Sequence, residues 1–132
     1  MADGQASLTG VWNGQYDYPF GYEPVGFMAT LIEAGASFSG GVTETAPGDG
    51  GVMAELFAVI AGQRVGQQVV FTKTYDGSNG WEHVVEYDGA LSADGNEIEG
   101  EWRVPGAMQG RFMMIRPERT QSQVEQKVEA PV

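Results

Sequence analysis

The sequence predicts an all-β fold: an eight-stranded antiparallel up-and-down barrel, wound as a meander. Three observations carry that expectation. Apolar and polar residues alternate from about residue 8 to 116, and helical spacing is nowhere sustained there. Turn-forming clusters recur at the short intervals of a meander. An apolar-x-Gly-x-aromatic pattern, Leu8-Thr9-Gly10-Val11-Trp12, returns late in the chain as Ile98-Glu99-Gly100-Glu101-Trp102 and as Met108-Gln109-Gly110-Arg111-Phe112. Alternate residues of a strand share a face, so opening and closing strands of one design suggest a sheet curled until its edges meet.

The first strand is expected over 8–18, with Leu8, Gly10, Trp12, Gly14, Tyr16 and Tyr18 on one face. Pro19 and Pro24 bracket the loop that follows, because proline cannot donate to a ladder. The second strand, 26–33, is apolar on both faces: Phe27, Ala29 and Leu31 against Met28 and Ile32. Two-sided apolarity predicts that its outer face is covered, by the tail or by a second subunit. The third strand, 37–44, turns Phe38 and Val42 inward, and Pro47-Gly48-Asp49-Gly50-Gly51 ends it. The fourth, 53–61, is again apolar on both faces, and residues 62–66 read as a turn. The fifth spans 67–75, and the sequence Asp76-Gly77-Ser78-Asn79-Gly80 signals a hairpin. The sixth, 81–91, sets Trp81, His83, Val85, Tyr87, Gly89 and Leu91 against Glu82, Glu86 and Asp88. The seventh, 97–104, turns Ile98, Gly100, Trp102 and Val104 inward, and Pro105-Gly106 leads into the eighth, 107–115. The domain layout is therefore a flexible N-terminus (1–6), a barrel (7–116) and a polar C-terminal tail (117–132) expected to be disordered.

Closure removes the two edges that a long open sheet would expose, and eight strands leave room for side chains and one small ligand. A two-sheet sandwich of the same strands is the alternative. Up-and-down order puts the turns at 33–36, 62–66 and 92–96 at one end, the floor. The longer loops at 19–24, 45–52 and 76–80 lie with the 105–106 turn at the other, the rim, which is the expected mouth. Arg116 shares parity with Phe112 and Met114, so it points inward at the floor near Leu8 and Trp12. A guanidinium over an indole there contributes about 0.5–2 kcal/mol, and its expected role is a structural plug.

On Gly10-Val11-Trp12 and Arg116 the chain resembles the calycin group of barrels, which includes lipocalins, fatty-acid-binding proteins and avidins. Those families pair a Gly-x-Trp with a basic residue packed across the barrel floor. Strand count and order over 7–116 are most similar to the avidin-like type. Biotin binding is not implied: the polar side chains that avidins place after the first-strand tryptophan fall here on Gly14 and Tyr16, and the array of pocket tryptophans is not matched. The resemblance implies a fold and a general capacity to bind small molecules, and fold alone does not settle function.

The inward residues nearest the rim are Tyr16, Tyr18, Lys73, Tyr75, Trp81 and His83. Aromatic walls with a few polar tips suit a small-molecule pocket. An inward lysine must find an acceptor or lower its pKa, and Lys73 could anchor an anionic group. The plainer account of each is structural: tyrosines pack their rings and wet their hydroxyls, and a lone histidine on an apolar face is usually a satisfied core residue. Lys73 could equally snorkel to the rim or sit outside at a bulge. The leading expectation is a non-enzymatic binder of a small hydrophobic or anionic molecule at the rim holding the 19–24 and 76–80 loops. The alternatives are a packed, self-associating barrel without a ligand, and an enzyme using His83 with Lys73 or Tyr75 for proton transfer.

Composition narrows the partners. The net charge is −11, and no basic stripe interrupts it, which disfavours nucleic acid and anionic membranes. With no cysteine, disulfides and thiolate chemistry are excluded. One histidine and mostly outward carboxylates argue against a metal site, and no cofactor motif is present. Neither a secretory signal nor a membrane-spanning run is apparent, so the expected location is cytoplasmic.

Overall fold

The computed structural model describes residues 7–19, 23–47, 52–77 and 83–116. They form eight strands: β1 (Gly10–Tyr16), β2 (Val25–Ala34), β3 (Ser37–Pro47), β4 (Met53–Val65), β5 (Gln68–Tyr75), β6 (Val84–Leu91), β7 (Glu97–Val104) and β8 (Met108–Ile115). Each strand pairs antiparallel with its neighbour in sequence, and β8 returns to β1 to close the barrel. The sandwich alternative is thereby set aside. No helix among the described residues is long and apolar enough to cross a membrane. The segments 1–6 and 117–132 lie outside the described residues, as do 20–22, 48–51 and 78–82 in the rim connections.

Alternation places the core. Trp12, Phe27, Leu31, Phe38, Val42, Leu56, Ile60, Phe71, Tyr87, Ile98, Trp102 and Phe112 are all buried inside the cylinder. Aromatic rings fill its middle: Phe71 stacks on Tyr87 at 4.6 Å between centroids, and Phe112 meets Tyr87 edge-on at 4.9 Å. The fourth strand runs further than expected. Residues 62–65 read as turn formers, yet they continue the ladder, with Gly62 opposite Phe38 and Val65 opposite Gln68. Gly62 is an inward strand position left bare, because a β-carbon there would collide with the Val70 carbonyl and the Phe71 side chain of β5 and press on the Phe38 ring at 2.8 Å. The first strand is shorter than its predicted 8–18, although Leu8 and Tyr18 keep the inward parity.

The outer wall is divided by chemistry. The outward positions of β6, β7 and β8 carry Glu86, Asp88, Glu97, Glu99, Glu101, Arg103 and Arg111. Across the barrel, Met28 and Ile32 of β2 and Phe57 and Val59 of β4 stand exposed on either side of the small outward residues Ser39, Gly41 and Thr43 of β3. These four exposed apolar side chains belong to the two strands that the sequence shows as apolar on both faces.

Closure has one short seam. The β1–β8 ladder runs only from Asn13↔Ile115 to Tyr16↔Phe112, whereas β3 and β4 pair from Ser37↔Gln63 to Pro47↔Met53. Below the seam, Arg116 takes over from the backbone. Its Nη1 donates to the carbonyls of Ser7 (2.7 Å) and Thr9 (3.0 Å), and its Nη2 donates to Gly95 (2.6 Å). Its guanidinium lies 4.4 Å from the Trp12 ring, whose Nε1 donates to Leu8 at 2.9 Å. Gly10 sits beneath it with φ +144°, a conformation that favours glycine. Glu33 completes the floor, accepting from Leu8 N at 2.8 Å and pairing with Arg64 at 2.9 Å.

Arg116→Leu keeps apolar bulk but strips donors from three carbonyls, each worth about 1 kcal/mol, together with the cation–π contact. A loss of about 3 kcal/mol in urea unfolding is expected. A loss below about 0.5 kcal/mol would show that the ladder holds the seam without the side chain.

Candidate functional site

Above the aromatic middle, three strands send polar side chains to one point. Tyr16 is the last residue of β1, Glu44 lies near the rim end of β3, and Lys73 and Tyr75 close β5. All four are inward by parity and buried. Glu44 Oε1 accepts from Lys73 Nζ at 3.0 Å, while Oε2 accepts from the Tyr16 hydroxyl at 2.7 Å and the Tyr75 hydroxyl at 2.9 Å. The carboxylate therefore receives three donors, two of them phenolic. Its ion pair with Lys73 is sealed, both side chains being at most 1% exposed.

The lysine is also caged by rings. Its Nζ lies 4.6 Å from the Tyr16 centroid, 4.9 Å from Tyr75, 5.2 Å from Phe27 and 5.4 Å from Tyr87. Aromatic faces attract a cation within about 6 Å, the more so when it is desolvated. The fit depends on Gly14, since a β-carbon there would collide with the Phe27 ring. Two opposed influences act on the amine: burial pushes the Lys73 pKa down, and the Glu44 charge and hydrogen bond oppose that shift, with burial prevailing.

The tyrosines are pushed the other way. Burial is the main cause for Tyr16, Tyr75 and Tyr87, and the Glu44 charge adds to it, so all three hydroxyls stay protonated far above the ordinary tyrosine range. Tyr87 is buried, yet its hydroxyl has no hydrogen-bond partner among the described residues. Such an orphan is uncommon in a folded interior.

Between this cluster and the rim lies a cavity of about 260 Å³. Lys73, Tyr75 and Tyr87 form its inner end, Val85 and Trp102 its sides, and Tyr18, His83, Val104 and Met108 are among its walls. Trp102 is braced by its Nε1, which donates to the Asp17 carbonyl at 3.0 Å, and by edge-on contacts to Tyr16 and Tyr18. The His83 ring lies 4.9 Å from that of Tyr75. Burial, reinforced by the Lys73 charge, lowers the His83 pKa.

The rim residues named from the sequence are thus sorted. Tyr16, Tyr18, Lys73, Tyr75 and His83 line one cavity, and Trp81 lies outside the described residues. Trp12 and Arg116 sit at the opposite end. Lys73 neither snorkels nor faces outward. Sequence reasoning missed Glu44, Tyr87 and Trp102 as site residues. Glu44 shares parity with Phe38 and Val42, so counting along the third strand could have found it. Among the described residues, no group of three or more histidines and carboxylates gathers to hold a metal ion. No protein-family model matches the chain, and no curated protein sequence does so either.

Removing one partner of a buried pair leaves an uncompensated charge, at about 3–5 kcal/mol, whereas replacing both by apolar groups is often neutral. Lys73→Met and Glu44→Leu should each destabilise by that amount. The double variant Glu44→Leu/Lys73→Met should return to within about 1–2 kcal/mol of the parent in urea unfolding. A double variant that costs the sum of the singles would show that the two side chains act independently.

The buried phenols set an alkaline limit. Unfolded tyrosines release protons near pH 10, while Tyr16, Tyr75 and Tyr87 hold theirs in the folded chain. Above pH 10 the folded state binds more protons, so stability falls as pH rises, by about 1.4 kcal/mol per pH unit for each group. Lys73 acts oppositely between its lowered pKa and 10.5, where the unfolded chain binds more protons, but it is one group against three. Tyrosinate absorbance from these residues should therefore appear only together with loss of the sheet's circular dichroism. Ionisation of all five tyrosines with the sheet intact would contradict this.

Proposed function

We propose that the protein is a non-enzymatic, calycin-like barrel that binds one small, partly apolar molecule in the rim cavity. The observation that carries this reading is the cavity itself: it is lined by a buried amine and by a hydroxyl that has no hydrogen-bond partner among the described residues. An apolar site with a few convergent polar groups is the usual form of a small-molecule pocket. Size bounds the ligand. The space of about 260 Å³ exceeds the roughly 150 Å³ void that holds benzene and falls just short of the roughly 300 Å³ at which drug-sized pockets begin. One or two rings fit.

Charge bounds it further. Lys73 is already balanced by Glu44 at 3.0 Å, so an anion gains less here than an unpaired lysine would offer. A neutral molecule with a hydrogen-bond acceptor suits the site better, because Lys73 has donors beyond the one spent on Glu44. Catalysis by His83 with Tyr75 is less favoured, because the Tyr75 hydroxyl is engaged by Glu44 and His83 packs ring against ring on Tyr75.

A two-ring neutral probe such as 1-naphthol should bind with Kd about 10–100 µM, or about −5.5 to −7 kcal/mol, in keeping with a small ligand. Val85→Trp from the cavity side and Met108→Trp at the partly exposed rim position should each abolish binding. The second variant guards against overpacking by the first. Calorimetry showing no heat with the parent, or equal affinity in both variants, would end the reading.

A further inference from the structure

We propose that Lys73 captures a small aromatic aldehyde as a reversible imine, which makes an aryl carbonyl compound the ligand class of the rim cavity. The inference deepens the small-molecule reading above and rests on it. Three features of the site point the same way.

The first is the position of the amine. Lys73 lines the inner end of an otherwise aromatic and aliphatic cavity, and its one described oxygen partner is Glu44 Oε1. An aryl group held by the Tyr18, Val85 and Trp102 walls can extend a carbonyl toward that nitrogen. The second is the orphan hydroxyl of Tyr87, whose ring centroid lies 5.4 Å from Nζ. It is a donor, held protonated by burial, available to a carbonyl oxygen arriving beside Lys73.

The third is charge conservation. The Lys73 ammonium gives a proton to Glu44 Oε1, 3.0 Å away. The freed lone pair forms the C–N bond while the carbonyl π pair moves to oxygen, which takes the proton back from Glu44. The nitrogen then passes a second proton to Glu44, and the hydroxyl leaves with it as water when the C–O bond breaks. The sum is aldehyde plus ammonium giving protonated imine plus water, with Glu44 restored as carboxylate and no oxidant or reductant consumed. The product is again a monocation at Nζ. The rings of Tyr16, Phe27, Tyr75 and Tyr87 and the Glu44 carboxylate, which hold the ammonium, also face the positive charge of the iminium, whose remaining N–H can donate to Glu44. Burial also lowers the Lys73 pKa, which raises the share of neutral amine at neutral pH.

The chain carries its own controls. Lys127 is the only other lysine of the sequence, and it and the N-terminal amine serve as internal references. The full-length protein would be incubated with benzaldehyde and sodium cyanoborohydride near neutral pH, digested, and mapped by mass spectrometry. N-benzylation of Lys73 at least tenfold faster than of Lys127, slowed by excess 1-naphthol, is the expected result. Labelling of Lys127 or the N-terminus with Lys73 bare overturns the proposal. Perturbation of the Trp102 and Val85 NMR signals by benzaldehyde without a Lys73 adduct would reject the imine and leave the binding reading intact. Absence of any binding, by benzaldehyde or by 1-naphthol, would reject both.

Discussion

A sheet that closes on itself must join its first strand to its last, and here that junction is short. Four residues of β1 meet four of β8, and the guanidinium of Arg116 extends the join by gripping carbonyls that the ladder does not reach. Everything inside depends on this seam. Tyr16 and Tyr75 are 59 residues apart, and Glu44 lies 28 residues from one and 31 from the other. Only closure brings β1, β3 and β5 around a common axis at one height. Were the seam open, the Lys73–Glu44 pair would face water, and burial could neither lower the amine's pKa nor hold the phenols protonated.

Inside the cylinder the two ends have been given different work. The floor is polar but saturated: Arg116, Glu33 and the Trp12 indole each meet backbone atoms. The middle is packed with stacked and edge-on rings. Toward the rim the interior opens into a cavity, and there the buried Tyr87 hydroxyl has no hydrogen-bond partner among the described residues. The space at the rim comes from the modest side chains that line it, Val85 among them, where larger ones would close it.

Much of this was legible before any coordinates. Strict alternation assigns Trp12, Phe27, Phe38, Trp102 and Phe112 to the inside, and the parity of Arg116 sends it to the floor. Two kinds of information were not legible. Glu44 and Lys73 are on strands separated by β4, so no local spacing joins them; they meet inside the barrel over β4. An acid in a Thr-Glu-Thr context reads as solvent-facing, and its parity competes with that habit. Gly62 misled for a related reason. Glycine announces a turn in most sequences, yet here it keeps an inward strand position clear for the close approach of β5 at Val70 and Phe71 and for the Phe38 ring. Both errors arise where a side chain's role is set by a neighbour distant in sequence.

A buried ion pair is a poor device for stability alone, since well-packed apolar residues of similar volume often serve as well or better. Its retention in an otherwise aromatic interior needs another account. One is structural specificity, with the pair locking β3 and β5 in register. The eight-residue ladder between β4 and β5 and the long ladder between β3 and β4 already impose that register, so the pair adds little to it. The other is that the amine is needed at the end of the cavity, and Glu44 is needed to make a buried amine tolerable. The arrangement around them favours the second. Four rings face Nζ, two phenols complete the carboxylate, and the Tyr87 phenol beside them has no hydrogen-bond partner among the described residues.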